Sequence, residues 1–140
     1  MSVLDLFNQV EARLKQIAES LEQVREVTIS EPALEHGFKT PRVFVWIREG
    51  ESAPVTISGD KRRHVWKFEY VIDVVADPSR AYEQVKTIAW ELYNRVMDDR
   101  TLGGLVLRAD PASRFLRVEV PSERAYGHRW IMEVTVIVEC

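Results

Sequence analysis

The sequence holds a single cysteine, Cys140, the last of its 140 residues. One cysteine cannot form an intrachain disulfide, which removes the small disulfide-stapled scaffolds from consideration and makes a reducing compartment the simplest setting. Histidine is nearly as scarce: His36, His64 and His128 lie far apart, and none stands three or four residues from another or from Cys140. A metal site therefore has no spacing to rest on. Long apolar runs are missing too, because the N-terminal stretch carries Asp5, Glu11 and Arg13 among its apolar positions. It reads as neither a signal peptide nor a membrane-spanning helix, and no membrane partner is expected. Charge of one sign is not in excess, with 19 basic against 22 acidic residues and a net charge of −3, so the chain as a whole has no pull toward nucleic acid or anionic lipid.

Catalytic constellations are equally absent. Ser30, Ser58, Ser79, Ser113 and Ser122 have neither a strained turn motif nor a base recognisable in sequence. Asp98 and Asp99 are adjacent carboxylates at a helix end, a place where such pairs are usually solvated. The one Gly-Gly pair, Gly103 and Gly104, follows a helix. A phosphate cradle needs glycines before a helix, with the first amides aimed at the anion, so this pair reads as a hinge that turns the chain back into a strand. No enzyme activity and no cofactor are expected.

What is present is an ordinary globular composition, 46% hydrophobic and 29% charged, in a chain of single-domain length. Val3, Phe7, Val10, Leu14, Ile17, Leu21 and Val24 recur at spacings of four and three, the stripe of a helix capped by Ser2. Residues 25–30 are a short β-branched run, and after a stretch broken by Pro32, Gly37 and Pro41 comes a strand over 42–49, apolar on both faces. Residues 50–63 read as a hairpin arm or loop with room for a short strand. The run 64–76 alternates, with His64, Trp66, Phe68, Tyr70, Ile72 and Val74 on the buried side. Asp77 as N-cap and Pro78 at the first position open a second helix, with Tyr82, Val85, Ile88, Ala89, Leu92, Tyr93 and Val96 as its apolar face. Strands are expected at 105–110, 113–120 and 128–140, the last burying Trp130, Met132, Val134, Val136 and Val138. The order, α-β-β-(β)-β-α-β-β-β, predicts an α+β fold: a mostly antiparallel sheet with two main helices packed on one side.

Two features bear on function. Lys61, Arg62 and Arg63 concentrate positive charge beside the long strand, suited to an acidic protein surface or, more weakly, to passing phosphates. The second face of the sheet mixes Val65, Val71, Val75, Ile131 and Ile137 with Lys67, Glu69, Asp73, Arg129 and Glu133. Such a face is too wet for a core and too apolar for idle surface, and either loops of this chain or neighbouring copies would cover it.

The layout resembles the tail terminator, or tail completion, proteins of long-tailed bacteriophages. The resemblance is carried by the N-terminal helix, "PRVFVWI" after a proline-broken loop, "HVWKFEYVIDVVAD" leading into the second helix, "VMDDRTLGGLVLRAD" with Leu102, Gly103 and Gly104, and the closing "RWIMEVTVIVE". It spans nearly the whole chain as a pattern and implies a structural subunit without catalytic residues. Such subunits form a hexameric ring that caps the tail tube and offers a surface for head-tail joining. The implied partners are further copies, the tail tube protein and a head-completion or neck protein, with non-specific contact to DNA in the channel; the implied location is the head-proximal end of the virion tail, after assembly in host cytoplasm. Candidate interface residues, from composition and position, are Lys61, Arg62, Arg63, Val65, Lys67 and Val71. The alternatives are another head-tail connector or neck protein, and a small cellular α+β module holding an apolar ligand between its helices and the aromatic face of Trp66, Phe68 and Tyr70.

Overall fold

A computed structural model describes residues 2–32, 40–55, 59–76, 78–120 and 126–140. Two helices and five strands follow one another as α1 (Val3–Glu19), β1 (Glu26–Ile29), β2 (Arg42–Pro54), β3 (Arg62–Ala76), α2 (Pro78–Met97), β4 (Arg108–Val120) and β5 (Tyr126–Glu139). The strands form one sheet in the order β1-β2-β3-β5-β4. Every pairing is antiparallel except β1 with β2, so the sheet is mixed but mostly antiparallel, and the fold is α+β.

Ser2 caps α1, its Oγ accepting the Asp5 N–H at 3.1 Å. The helix ends at Glu19, yet Leu21 remains buried and Val24 packs on the core from the turn beyond it. At the other end the stripe is displaced by one turn face: Leu6 is buried while Val3 is 42% exposed. The buried side of α2 is Ala81, Val85, Ile88, Ala89, Leu92 and Val96, with Tyr82 39% exposed and packed edge-on against Trp130. The expected cap, Asp77, lies outside the described residues.

Both helices cover the sheet face that carries Trp66, Phe68, Tyr70, Ile72 and Val74 of β3 and Met132, Val134, Val136 and Val138 of β5, all buried. The period-two alternation of these runs therefore assigned their inner side correctly. Phe7 of α1 lies over Trp66 and Phe68, with ring centroids at 5.1 and 5.4 Å. The Tyr70 hydroxyl donates to the Leu14 carbonyl at 2.7 Å, tying sheet to helix, and burial raises the phenol pKa well above its ordinary value.

Three boundaries differ from the sequence reading. β2 continues to Pro54, because the arm is a hairpin whose two sides pair as far as Pro54 and Arg62; its tip, residues 56–58, lies outside the described residues. The strands expected at 105–110 and 113–120 are one strand, interrupted by an irregularity between Pro111 and Phe115, where proline lacks the N–H a ladder needs. Residues 101–107 belong instead to a turn that holds Gly103 at φ +71 and Gly104 at φ +89. Leu102, at φ +49, also takes the left-handed region, and its fully buried side chain is what offsets that backbone cost.

Candidate functional site

The far face of the sheet, opposite the helices, is built in rows across β2, β3 and β5, and its character changes along the strands. At one end Arg42, Asp73 and Arg129 stand in register. The Arg129 guanidinium grips Asp73 with both prongs, Nε to Oδ1 at 2.7 Å and Nη2 to Oδ2 at 2.8 Å, and both side chains are only 13% exposed. Arg42, buried, lies 4.0 Å over the ring of Phe44. In the next row Phe44 and Val71 are wholly buried although neither belongs to the core under the helices. These two rows are thus covered within a single chain, while Val75, beyond them on β3, is 41% exposed.

Glu69 comes next, directly opposite Glu133, a like-charge pair that would be unfavourable left bare. Two neighbours relieve it. Trp46 Nε1 donates to Glu69 Oε1 at 3.0 Å, and Arg48 reaches Glu133 at 3.6 Å. Arg48 can do so because it is the extra residue of a bulge between Ile47 and Glu49.

Beyond this row the face opens. Lys67 pairs with Glu49 at 3.0 Å, which raises the lysine pKa and lowers that of the glutamate, in each case first through the hydrogen bond between them and then through their charges. Val65 and Ile137 are half-buried, and Arg63 is bound to Glu139 at 2.7 Å. β2 is exposed from Arg48 through Pro54.

The sequence-predicted residues are only partly brought together. Arg63, Val65, Lys67 and Val71 share the far face, as their odd-numbered alternation requires, but Val71 is covered inside the chain and presents no surface. Arg62 falls on the opposite side, with its backbone exchanging both hydrogen bonds with Cys140 at 3.1 Å. Lys61 and Arg62 are exposed, and among the described residues neither has an acidic partner within ion-pair distance. Gly103 and Gly104 sit apart from this face, in a turn held by Asp99, whose Oδ1 accepts the Gly103 N–H at 2.9 Å and whose Oδ2 accepts from Arg13 at 2.7 Å.

Sequence reasoning missed one close pair. Ser52 and His64 are cross-strand neighbours, with Oγ 2.6 Å from Nδ1. The other ring nitrogen, Nε2, is buried without a hydrogen-bond partner among the described residues, and the ring lies 5.7 Å from that of Trp66. A serine nucleophile needs a base whose far nitrogen is oriented by an acid, so this contact fastens the hairpin rather than arming it. Its signal was the register alone, which a sequence without a fixed turn length does not supply.

Between the ends of α1 and α2 lies a groove of about 470 Å³ lined by Ser20, Glu22, Gln23, Glu91, Asn94, Arg95 and Asp98, with Leu21 as the apolar member. Its walls suit no apolar ligand.

No family model and no curated protein matches this chain. A chain in a solved structure described as the "Virion of native gene transfer agent (GTA) particle" is similar over 96% of this chain and 92% of that one, at 14% identity and a TM-score of 0.41. Likeness at that level bears on neither fold nor role.

Proposed function

We propose that this chain is a structural subunit of a phage-type virion, a tail terminator that caps the tail tube as a ring and presents a surface for joining the head. The observation that carries the reading is the contrast along the sheet. The far-face rows of Arg42, Asp73 and Arg129 and of Phe44 and Val71 are covered inside the chain, while the opposite part of the face leaves a long hairpin, Arg48–Pro54 with Lys61–Lys67, standing open on paired β strands. A surface held this firmly by strands, and lined by paired charges and half-buried valine and isoleucine, is suited to a large protein neighbour. The resemblance in sequence layout supports the same reading. Lys61 and Arg62, exposed, are suited to an acidic neighbour or to DNA crossing the channel.

The aromatic face offers little to the ligand-module alternative. Phe7 occupies the space over Trp66 and Phe68, and a ligand there would have to displace α1. The test is genetic. Virions lacking the chain should yield tail tubes of unregulated length that fail to join filled heads, and restored joining should follow from adding purified protein. Tails of normal length that join heads without it would overturn the reading.

A further inference from the structure

Part of one margin of the sheet is left without a strand beside it. β1 accompanies β2 only along Arg42–Val45, and the Ser30 N–H to Val45 carbonyl bond is the last on that side among the described residues. Beyond it β2 is hydrogen-bonded to β3 alone. Arg62 exchanges both backbone bonds with Cys140, so even-numbered residues of β3 turn toward β5 and odd-numbered ones toward β2. Glu49, Glu51 and Ala53 face the odd-numbered ones, which leaves Gly50, Ser52 and Pro54 with their backbone groups turned outward. All three are exposed. The usual defences of an edge stand at its ends: the bulge before Glu49, and Pro54, which has no N–H to offer. Between them Gly50 and Ser52 present both donors and acceptors.

Such an edge is completed by another strand, and a second copy of the same edge carries the matching pattern. A two-fold axis perpendicular to the sheet sets two β2 strands antiparallel, edge to edge, with the helices of both copies on one side. Outward groups meet outward groups only where both residue numbers are even, so few registers are open. Centring on Glu51 sets that glutamate against itself, and centring on Gly50 sets Glu49 against the partner's Glu51, like charges directly opposite. Centring on Ala53 keeps only the bond from Ser52 to the partner's Pro54. Centring on Ser52 does better on each count. The two serines exchange both backbone bonds, and each Gly50 N–H meets the partner's Pro54 carbonyl. Glu51, which has no ion pair among the described residues, then lies against the partner's Ala53 with the partner's Arg63 next in the row, and Glu49 comes level with the partner's Val55 and Lys61. The partner's Pro54 stands opposite Gly50, clear of Val45, where β1 covers the edge.

We propose that the free chain pairs with a second copy through this edge, β2 against β2 about Ser52, so that one sheet runs through both. The contact joins identical patches and therefore closes at two copies; it builds no ring. It goes beyond the ring reading and stands apart from it. The pairing occupies the hairpin that a ring or tube neighbour would use, so the dimer holds that surface closed until such a neighbour displaces the mate.

Sedimentation of the purified chain should show a monomer–dimer equilibrium. Ser52→Pro removes the outward N–H at the centre of the contact while sparing the ladder to β3, and should weaken dimerisation about tenfold or more. Ser52→Ala keeps that N–H and loses only the hydroxyl that meets His64, and should stay within about threefold of the parent. In a Cys140→Ser background, Glu51→Cys protein oxidised together with Ala53→Cys protein should give a mixed disulfide dimer, because the two positions stand directly opposite; neither protein alone should give one. This second arm holds even where Ser52→Pro fails to fold. Dimers undiminished in folded Ser52→Pro, or disulfide dimers from either cysteine variant alone, overturn the pairing about Ser52. A free chain that stays monomeric also overturns it, and leaves the tail-end reading, which is tested on tubes and virions, standing.

Discussion

The Asp73–Arg129 pair tests whether one end of the far face is closed within the single chain. Asp73→Asn keeps the side-chain volume and removes the charge, leaving Arg42 and Arg129 together on a row from which water is largely excluded. Breaking a buried ion pair on one side costs about 3–5 kcal/mol, whereas an exposed pair is worth about 1 kcal/mol or less, so the two cases are well separated. Unfolding entropy near about 2.1 cal/mol/K per residue amounts to about 0.3 kcal/mol/K for 140 residues. The buried case then lowers Tm by about 10–17 °C and the exposed case by about 3 °C or less. Thermal unfolding at concentrations where the protein is monomeric reads the difference directly. Arg129→Met combined with Asp73→Leu should recover part of the loss, because it removes the charge of Arg129 while that of Arg42 stays on the row. A shift of about 3 °C or less for Asp73→Asn would mean that the row is wet in the monomer, and the contrast between covered rows and open hairpin on the far face would fall.

Three further outcomes are expected. Replacing Lys61 and Arg62 together with glutamate should move stability by about 0.5 kcal/mol or less for each exposed site, yet impair joining of tails to heads; normal virion yield would remove these two cations from the mechanism. Gly103→Ala, at φ +71 with open space around it, should cost about 1 kcal/mol through backbone strain alone in a denaturant titration, and an unchanged midpoint would mean that the turn is not held in that conformation. Burial pushes the Asp110 carboxyl up, but its hydrogen bonds to Arg108 and Arg100 and their charges outweigh this and hold its pKa below the ordinary value. A depressed pKa gives stability that is full above the unfolded-state value and fades as pH falls through the folded one. Asp110→Asn should therefore lose less stability than the parent on acidification below about pH 4, as followed by melting at stepped pH.

The inner side of the molecule was legible because burial leaves a period. His64 through Val74 and Met132 through Val138 alternate cleanly, and α2 repeats its apolar side every three to four residues, so which face meets the helices followed from spacing. The Gly103–Gly104 turn was legible for the same local reason, since its backbone lies where side-chain-bearing residues seldom go. The far face was not. Its mixture of valine and charge gave no hint that Phe44 and Val71 are covered while Val65 is half open, because that depends on which strand stands opposite each residue. The bulge at Arg48 shifts the register by one, and with it decides that Arg48 serves Glu133 and that Ser52 meets His64. Proline misled at Pro111, where a break in the pattern is a kink within one edge strand and not a boundary between two.

On the proposed function, copies of this chain assemble at the end of a tail tube. Cryo-electron microscopy of tubes incubated with the purified protein, with native mass spectrometry of what they release, tests it directly. The expected result is a ring at one tube end only, made of six copies of a 16.2 kDa chain, about 97 kDa, with the hairpin of each subunit at the contact to its neighbour. Tubes that stay bare at both ends beside a protein of monomer mass would contradict it.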